Sequence, residues 1–338
     1  MSVRALVTLS LAFASLSLAG CTEDGAGEGA DQAGDGDGDT TGDEDSGGDG
    51  DGDSGDGDGD GDSGDGDGDG DGDSGDGDGD GDSGDGDGDG DGDSGDGDCA
   101  TWCPTPGTSW QWQLSGNLDT TFDVEVYDID LFDTPPATIA SLHDDGRAVI
   151  CYFSAGSHED WRPDADQFPP AAIGDPLDGW PGERWLDIRD AEVRALMQAR
   201  LDLAQSAGCD AVEPDNVDGW TNPTGFDLSA DDQLDYNAFL AAEAHARGLS
   251  IGLKNDLDQV DALVDQFDWA LNEECIAYDE CELLQPFLDA GKAVFHVEYV
   301  DDPADGPAAA DTVCGQVPAG FSTLIKLWDL DAWRLECA

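Results

Sequence analysis

The sequence predicts an α/β protein in which a TIM-like (β/α)8 barrel follows a disordered acidic linker. Apolar runs of strand length alternate with helical patterns through residues 99–338, an arrangement typical of a parallel sheet covered by helices. These 240 residues are close to the size of one (β/α)8 domain. Residues 22–98 lack aromatic, branched aliphatic and basic side chains, so they cannot form a core of their own.

Residues 1–20 are typical of an export signal rather than of a folded element. Arg4 supplies a basic start, and the apolar run Ala5–Leu18 has the length of a signal-peptide core and is short for a membrane span. Leu18-Ala19-Gly20-Cys21 resembles a bacterial lipobox, so we expect cleavage before Cys21 and lipidation of its thiol. The alternative is an ordinary signal peptide with a chance cysteine. Thr22 stands where an aspartate would retain a lipoprotein in the inner membrane, so we expect anchoring in the outer membrane or at the cell surface.

Residues 21–98 combine the lipidated Cys21 with a linker rich in glycine and aspartate. The linker is a repeat of 20 residues, because its serines alternate spacings of 9 and 11 at Ser54, Ser63, Ser74, Ser83 and Ser94. Such a chain is expected to be disordered and extended by its own charge. Asp-x-Asp-x-Asp-Gly also opens an EF-hand loop, but no Glu between Glu44 and Glu125 supplies the bidentate twelfth ligand. We therefore interpret the repeat as a tether rather than a specific calcium site.

The charge of the chain excludes one class of partner. Of the 80 acidic residues, 33 lie within 22–98, and the other 47 stand against 11 basic residues in 99–338. Residues 99–338 therefore carry a net charge of −36 by themselves. Nucleic acid binds to basic faces, so we expect no nucleic-acid partner, whereas cationic partners are favoured.

The nine cysteines suit an exported, oxidised protein. With Cys21 lipidated, eight remain, which is an even number that permits four disulfides. Sequence order suggests the pairs Cys99–Cys103, Cys151–Cys209, Cys275–Cys281 and Cys314–Cys337. A zinc site is the alternative, but no CxxC pair occurs and the four histidines are scattered, so we predict no metal.

Eight apolar runs bounded by turn residues are the predicted strands: Ser109–Leu114, Val124–Ile129, Ala148–Phe153, Cys209–Val212, Leu249–Leu253, Trp269–Leu271, Ala293–Val297 and Thr323–Leu327. Four segments have helical patterns: Asp190–Ala207, Ser229–Arg247, Asp256–Phe267 and Glu280–Ala290. The interval between the first two strands is too short for a crossover helix. The first unit is therefore either irregular or built from antiparallel strands.

Polar or ionisable residues follow almost every predicted strand. In parallel barrels these strand ends meet at one mouth, which suits a glycan-binding site. Tryptophans near the same ends offer faces for sugar rings, although at least half are expected to be core. The predicted substrate-binding residues are Trp112, Asp128, Asp130, Tyr152, Ser154, Glu213, Asn216, Asp218, Lys254, Asn255, Glu298 and Tyr299.

Asp215 and Glu273 are the predicted catalytic pair. Glycoside hydrolysis needs two carboxylates, one to attack or activate water and one to protonate the leaving oxygen. The two residues end different strands, and each adjoins an amide side chain able to orient it. Glu213 and Glu274 are rivals. Glu213 and Asp215 lie on the same face of a strand, so side-chain alternation cannot decide which of them is catalytic. Glu273 and Glu274 point to opposite sides, so only one of them can face the mouth.

Seven segments resemble glycoside hydrolase family 114, the endo-α-1,4-polygalactosaminidase family. They are WQWQLSG (110–116), VYDIDLFDT (126–134), VICYFSAGSHEDWRPD (149–164), GCDAVEPDNVDGW (208–220), the stretch from NPTGF to GLKND (222–256), DWALNEECIAYDEC (268–281) and GKAVFHVEY (291–299). The resemblance extends over residues 108–330. It implies a TIM-like barrel and endo-cleavage of α-1,4-linked galactosamine-rich polysaccharide without a cofactor. It also implies that Asp215 is the nucleophile and Glu273 the acid/base of a retaining mechanism.

The acidic domain suits such a substrate, because deacetylated galactosamine is an ammonium ion at neutral pH. Asp128, Asp130, Asp218 and Glu298 are candidates for pairing with its amines. We expect a monomer that contacts the membrane only through its lipid anchor. Two alternatives remain at this point: a barrel that binds cationic glycan without cleaving it, and the same fold acting on another α-linked glycan.

Overall fold

The computed structural model describes residues 102–337. The predicted signal peptide, the lipidation site at Cys21 and the linker lie outside the described residues.

The strands of the described residues are β1 (Trp110–Gln113), β2 (Val126–Asp130), β3 (Ala148–Ser154), β4 (Ser157–Glu159), β5 (Ile173–Pro176), β6 (Glu183–Leu186), β7 (Ala211–Asp215), β8 (Ser250–Lys254), β9 (Trp269–Glu273), β10 (Val294–Val300), β11 (Phe321–Leu327) and β12 (Leu335–Glu336). The α-helices are α1 (Pro136–Asp144), α2 (Ala191–Ala207), α3 (Ala230–Ala246), α4 (Val260–Leu263), α5 (Cys275–Tyr278), α6 (Gln285–Asp289) and α7 (Gly306–Val313). Short 3-10 turns precede α4 and α6.

Nine of these strands form one sheet in the order β1-β2-β3-β7-β8-β9-β10-β11-β12. The first eight are parallel to their neighbours, and β12 pairs with β11 antiparallel. The first and last parallel strands of this sheet lie close together, since Trp110 Nε1 on β1 donates to the carbonyl of Ser322 on β11 at 3.0 Å. The sheet is therefore strongly curled. The fold is therefore α/β with a curled, mainly parallel sheet of TIM-like type.

Alternate residues of the parallel strands pack into two separate apolar cores, as side-chain alternation requires. Trp110, Trp269 and Phe295 belong to the smaller core. Residues of the opposite face join the helices in the larger core. The same alternation decides which way a strand-end residue points: Glu273 shares the face of Trp269, whereas Glu298 lies on the opposite face from Phe295.

The eight parallel strands are those predicted, with ends shifted by a few residues. Of the two predictions for the first unit, the irregular connection is correct and the antiparallel pair is wrong, because β1 and β2 are parallel without an intervening helix. The predicted helix over 256–267 is shorter than expected: Asp256 has a left-handed φ of 46°, and α4 begins only after a 3-10 turn.

One feature of the fold was not expected from the sequence. Between β3 and α2, the strands β4, β6 and β5 form a small antiparallel sheet. These strands are short and carry mixed polar residues, so they have no clear period of two. The insert follows the carboxyl end of β3, which places it on the side of the sheet where strand-end residues gather.

Three of the predicted disulfides are present: Cys151–Cys209, Cys275–Cys281 and Cys314–Cys337. Cys103 is also disulfide-bonded, and its predicted partner Cys99 lies outside the described residues. Cys151–Cys209 joins β3 to the segment that enters β7, so it fixes the strand that ends in Asp215.

Within residues 102–337, no helix has the length and apolar character needed to cross a membrane.

Candidate active site

The two predicted catalytic carboxylates lie at the carboxyl ends of β7 and β9, on either side of the end of β8. Lys254 closes β8, and its Nζ lies 3.2 Å from Asp215 Oδ1 and 3.6 Å from Glu273 Oε2. The two oxygens are therefore separated by no more than the sum of these distances, 6.8 Å. The side chains of Asp215 and Glu273 are 19% and 27% exposed, whereas Lys254 is buried. Two solvent-accessible carboxylates thus converge over one buried ammonium group.

Asp215 is held by two donors from opposite sides. Tyr152 OH donates to Oδ2 at 3.0 Å, and the backbone N–H of Asn216 donates to Oδ1 at 2.8 Å. Burial, reinforced by the charge of Asp215, raises the pKa of Tyr152 well above its usual range. Tyr152 therefore keeps its proton and remains a donor to the carboxylate.

Glu273 is held in a similar way. Tyr299 OH donates to Oε1, and Asn255 Nδ2 donates to Oε2 at 3.2 Å. Asn272 Nδ2 donates to Asn255 Oδ1 at 3.1 Å, which fixes the orientation of that amide. Burial and the charge of Glu273 raise the pKa of Tyr299 well above its usual range, so its hydroxyl is also a permanent donor.

A buried polar floor lies beneath the pair. Glu213 accepts hydrogen bonds from Lys254 Nζ at 2.8 Å and from Trp112 Nε1 at 3.1 Å. Burial raises the pKa of Glu213 to about 7, although the adjacent ammonium of Lys254 opposes the shift. Burial also disfavours the charged form of Lys254, but the carboxylates of Asp215, Glu213 and Glu273 outweigh it and raise the pKa of Lys254 well above its usual range. Lys254 is thus a permanent cation, and it also lies 4.8 Å from the ring centre of Trp112.

Asp128 belongs to the same floor and is fully buried. Burial, reinforced by the charge of Glu213, raises the pKa of Asp128 well above its usual range, which favours its protonated form. The sequence assigned Trp112, Asp128, Glu213 and Lys254 to substrate. In the structure all four side chains are buried, and Trp112 and Lys254 donate their hydrogen bonds to Glu213.

The residues just beyond β7, β8 and β9 have left-handed backbones. The φ angles are 60° at Asn216, 50° at Asn255 and 62° at Glu274. Asparagine tolerates this region better than most residues, whereas glutamate there is strained. The sharp turns bring Asn216 and Asn255 back beside the carboxylates. Glu274, the rival of Glu273, is turned away, and burial raises the pKa of Glu274 to about 6.

A chain of hydrogen bonds leads from Asn216 into the insert. Asn216 Nδ2 donates to Ser154 Oγ at 2.9 Å, and the hydroxyls of Ser154 and Ser157 lie 2.7 Å apart. Ser157 Oγ donates to Glu183 Oε2 at 2.6 Å, and burial raises the pKa of Glu183 to about 7. The insert therefore supports the turn that orients Asp215.

Two of the predicted substrate-binding residues, Asp130 and Glu298, form their hydrogen bonds with groups outside the predicted catalytic pair. Asp130 accepts a two-pronged pair from Arg162, at 3.0 and 2.6 Å. Glu298 accepts from the backbone N–H groups of Ile276 and Ala277 at the start of α5. The structure does not bring these two carboxylates to the catalytic pair, and their role in substrate binding stays a prediction.

Asp218 lies beside the pair. It is half-buried, and burial together with the charge of Asp215 raises the pKa of Asp218 to about 6. Glu273 adds a smaller contribution in the same direction. The negative charges of Asp215 and Glu273 disfavour the ionised form of Asp218. A cationic group bound in the mouth would stabilise the Asp218 carboxylate.

The comparison with known families decides the identity of this site. Residues 93–338 match the family model of the glycoside hydrolases GH114. The chain belongs to glycoside hydrolase family 114. It is therefore a glycoside hydrolase, and the convergence of two carboxylates is what that chemistry requires. No curated protein matches the chain.

The solved structures that match this family 114 chain include Ega3 and a domain of PelA. Ega3 of Aspergillus fumigatus, determined in complex with galactosamine, is 46% identical; the match covers 70% of this chain and 97% of that chain, with a TM-score of 0.66. The glycoside hydrolase domain of PelA from Pseudomonas aeruginosa is 13% identical; the match covers 69% of this chain and 98% of that chain, with a TM-score of 0.53. The second likeness concerns the fold alone.

Among the residues that the structure describes in this family 114 chain, one group of side chains is close enough together to resemble a metal site. Atoms of Cys275, Cys281 and His296 lie within 4.8 Å of one another. The two cysteines are joined in a disulfide, so neither offers a thiolate. This group therefore does not fit a metal ion, and the prediction of no metal in the enzyme stays a prediction.

Sequence reasoning missed three residues near the site. Trp328 directly follows β11, so the strand-end argument that singled out Tyr299 could have found it. Ser157 and Glu183 lie in the insert, and no sequence signal links them to Asp215.

Proposed function

We propose that this glycoside hydrolase cleaves α-1,4-linked, galactosamine-rich polysaccharide within the polymer chain, with retention of anomeric configuration. The observation that carries the proposal is the convergence of Asp215 and Glu273. Asp215 Oδ1 and Glu273 Oε2, which both face Lys254 Nζ, are no more than 6.8 Å apart. Retaining enzymes place their carboxyl groups about 5–5.5 Å apart, and inverting enzymes about 6.5–9.5 Å. A separation within this bound is compatible with the retaining spacing, and we propose direct attack by one carboxylate on the sugar.

In the first step, Asp215 attacks the anomeric carbon while the bond to the leaving oxygen breaks, and protonated Glu273 gives its proton to that oxygen. In the second step, Glu273 takes a proton from water as the water attacks the anomeric carbon and Asp215 departs. The hydrogen bonds from Tyr152 and from the backbone of Asn216 aim Asp215 during both steps. Lys254 maintains a fixed positive charge beside both carboxylates.

Two observations support a cationic hexosamine polymer as substrate. Ega3, which is 46% identical to this chain, was determined in complex with galactosamine. Residues 99–338 carry 36 more acidic than basic residues, so an ammonium-bearing polymer is attracted to the domain. Asp218 lies beside the catalytic pair and is our candidate for contact with a substrate amine.

The full chain should release new reducing ends from deacetylated α-1,4-galactosamine polymer. The products should be oligomers of mixed length, as internal cleavage requires. Fully N-acetylated polymer, which lacks the ammonium groups, should be a poor substrate. Activity should also fall as salt is raised, because salt screens the attraction between exposed charges.

Three outcomes would contradict this proposal. Binding of the polymer without new reducing ends would favour a non-catalytic glycan-binding barrel. Cleavage of acetylated polymer at the same rate, at any salt concentration, would favour another α-linked glycan. A product that first appears with inverted anomeric configuration in proton NMR would exclude Asp215 as nucleophile.

We also propose that the enzyme is an exported, monomeric lipoprotein with a signal peptide over 1–20, a linker over 21–98 and a (β/α)8 domain over 99–338. Three disulfides support an oxidising compartment. The lipobox supports a lipid anchor at Cys21 in the outer membrane or at the cell surface. Replacing Cys21 by Ala should move the protein from the detergent phase to the aqueous phase in a partition assay, and unchanged partition would refute the anchor.

A further inference from the structure

Trp328 is a large aromatic residue left exposed beside the catalytic pair. It follows the last residue of β11, and 46% of its surface is accessible. Its ring stacks on that of Tyr299, with 4.1 Å between the centroids and 14° between the planes. Tyr299 in turn donates to Glu273. An aromatic stack thus leads from the proposed acid/base to solvent.

The loop that presents Trp328 is fixed rather than loose. The carbonyl of Leu330 accepts from the backbone N–H groups of Leu114 and Ser115 at 3.0 and 3.2 Å. The carbonyl of Asp331 accepts from the buried Lys326 Nζ at 2.6 Å. A side chain held in place before binding loses less conformational entropy on contact with a ligand, which is how binding sites gain affinity.

The position of Trp328 around the mouth follows from the strand order. The sequence β7, β8, β9, β10, β11 places Asp215, Lys254, Glu273, Tyr299 and then Trp328 in succession. Trp328 therefore lies on the side of Glu273 away from Asp215. A polymer cleaved between the two carboxylates extends past this ring if it follows the mouth in that direction.

We propose that Trp328, backed by Tyr299, is a binding platform for a hexosamine ring of the polymer adjacent to the linkage being cleaved. The open face of the indole stacks on the apolar face of a pyranose ring, and the π-system attracts the ammonium group of the sugar. Asp329, exposed at the next position, adds a negative charge beside the ring. This inference rests on the proposed function, since it takes its ligand from the proposed substrate.

The two possible roles of Trp328, sugar binding and support of Tyr299, predict different kinetics. If Trp328 binds sugar, its loss weakens substrate binding and raises KM while kcat changes little. If Trp328 only holds Tyr299 against Glu273, its loss lowers kcat and leaves KM nearly unchanged.

The test compares Trp328→Ala, Trp328→Tyr and Trp180→Ala in the full chain on deacetylated galactosamine polymer. Trp180 is a matched control, because it is 48% exposed and lies in the turn between β5 and β6. We expect Trp328→Ala to raise KM about tenfold with kcat within about twofold of wild type, the pattern of lost ground-state binding. Trp328→Tyr should recover most of the affinity, and Trp180→Ala should match wild type.

A second measurement separates failure of the platform from failure of the proposed function. Calorimetric titration of galactosamine oligomers into the inert Asp215→Asn chain, with and without Trp328→Ala, should show about tenfold weaker binding for the double variant. Equal binding, no binding by either chain, a loss confined to kcat, or an equal loss in Trp180→Ala would each overturn the platform. Failure of the wild-type chain to cleave would overturn the proposed hydrolysis alone, because the calorimetric comparison still decides the platform.

Discussion

At the scale of single residues, the site depends on Lys254. This buried cation contacts three carboxylates, those of Glu213, Asp215 and Glu273. Of these, Glu213 is fully buried, so its charge cannot be solvated by water if the ammonium is lost. Lys254 thus stabilises the fold and sets the electrostatics of the catalytic pair at the same time.

Replacing Lys254 by Met should lower the free energy of unfolding by about 3–5 kcal/mol, the range for breaking a buried ion pair from one side. The double variant Lys254→Met/Glu213→Gln should recover part of this stability, because the unpaired buried charge is gone. Neither variant should recover activity. Denaturant unfolding and reducing-end assays would measure the two effects. A single variant as stable as wild type would show that Glu213 is not charged in the folded protein.

The sequence predicted Asp215 and Glu273 because a carboxylate at a strand end is visible in the one-dimensional pattern. It could not predict that Lys254, Trp112 and Glu213 contact one another, since those contacts cross strands far apart in sequence. The sequence also could not show that Asp130 pairs with Arg162. Arg162 lies in the connection beyond β4, and nothing in the sequence spacing links the two residues.

At the scale of elements, the pairing of β3 with β7 positions Asp215. The backbone N–H groups of Ala155 and Gly156 both donate to the carbonyl of Asp215, at 2.8 and 3.0 Å. Gly156 has no room for a side chain, because a Cβ there would lie 1.7 Å from the carbonyl oxygen of Asn216. The turn beyond β3 thus fits closely against the turn beyond β7.

Gly156→Ala should displace Asn216 and weaken its hydrogen bond to Asp215. We expect a loss of about 1–3 kcal/mol in the free energy of unfolding, typical of overpacking, together with reduced kcat. Gly315 is the matched control: it is exposed, and a Cβ there meets nothing within 4 Å. Gly315→Ala should stay within about 1 kcal/mol of wild type. Equal stability and activity in both variants would contradict the close fit.

The element order was predictable because the eight parallel strands are apolar runs bounded by turn residues. The antiparallel insert was not predictable from its short, polar strands, yet it supplies Ser157 and Glu183 to the network behind Asn216. The helix after β8 is shorter than its apolar pattern suggested, because the chain first turns through the left-handed residue Asp256. The pattern over 280–290 forms a 3-10 turn followed by α6.

At the scale of the whole molecule, buried carboxyl groups couple stability to pH. Burial raises the pKa of Asp256 to about 8, although hydrogen bonds from Trp220 and Asn237 oppose the shift. The pKa values of Glu183 and Glu213 are raised to about 7 by burial as well. The folded chain therefore binds protons that the unfolded chain has already released at these pH values.

The sign of the effect follows from this difference. A raised folded-state pKa gives stability that is present at low pH and is lost as pH rises from the unfolded value, about 4 for Asp, to about 8 for Asp256. The free energy of unfolding should therefore decrease between pH 5 and pH 8. In Asp256→Asn, the free energy of unfolding should decrease less steeply with pH. The slope should differ from wild type by up to about 1.4 kcal/mol per pH unit, the value for one proton bound by the folded but not the unfolded chain. Chemical unfolding across this range would measure it, and identical slopes would show that Asp256 is ionised when folded.

Asp215 and Glu273 are proposed to act together on one glycosidic bond. The decisive measurement is the rate at which full-length Asp215→Asn and Glu273→Gln release reducing ends from deacetylated galactosamine polymer. We expect a loss on the order of 10³-fold or more for each variant, as for residues that act as a catalytic unit. Glu274→Gln, whose carboxylate lies at the next position, should stay within about threefold of wild type. If either folded variant kept more than about a tenth of wild-type activity, Asp215 and Glu273 would not be the catalytic pair.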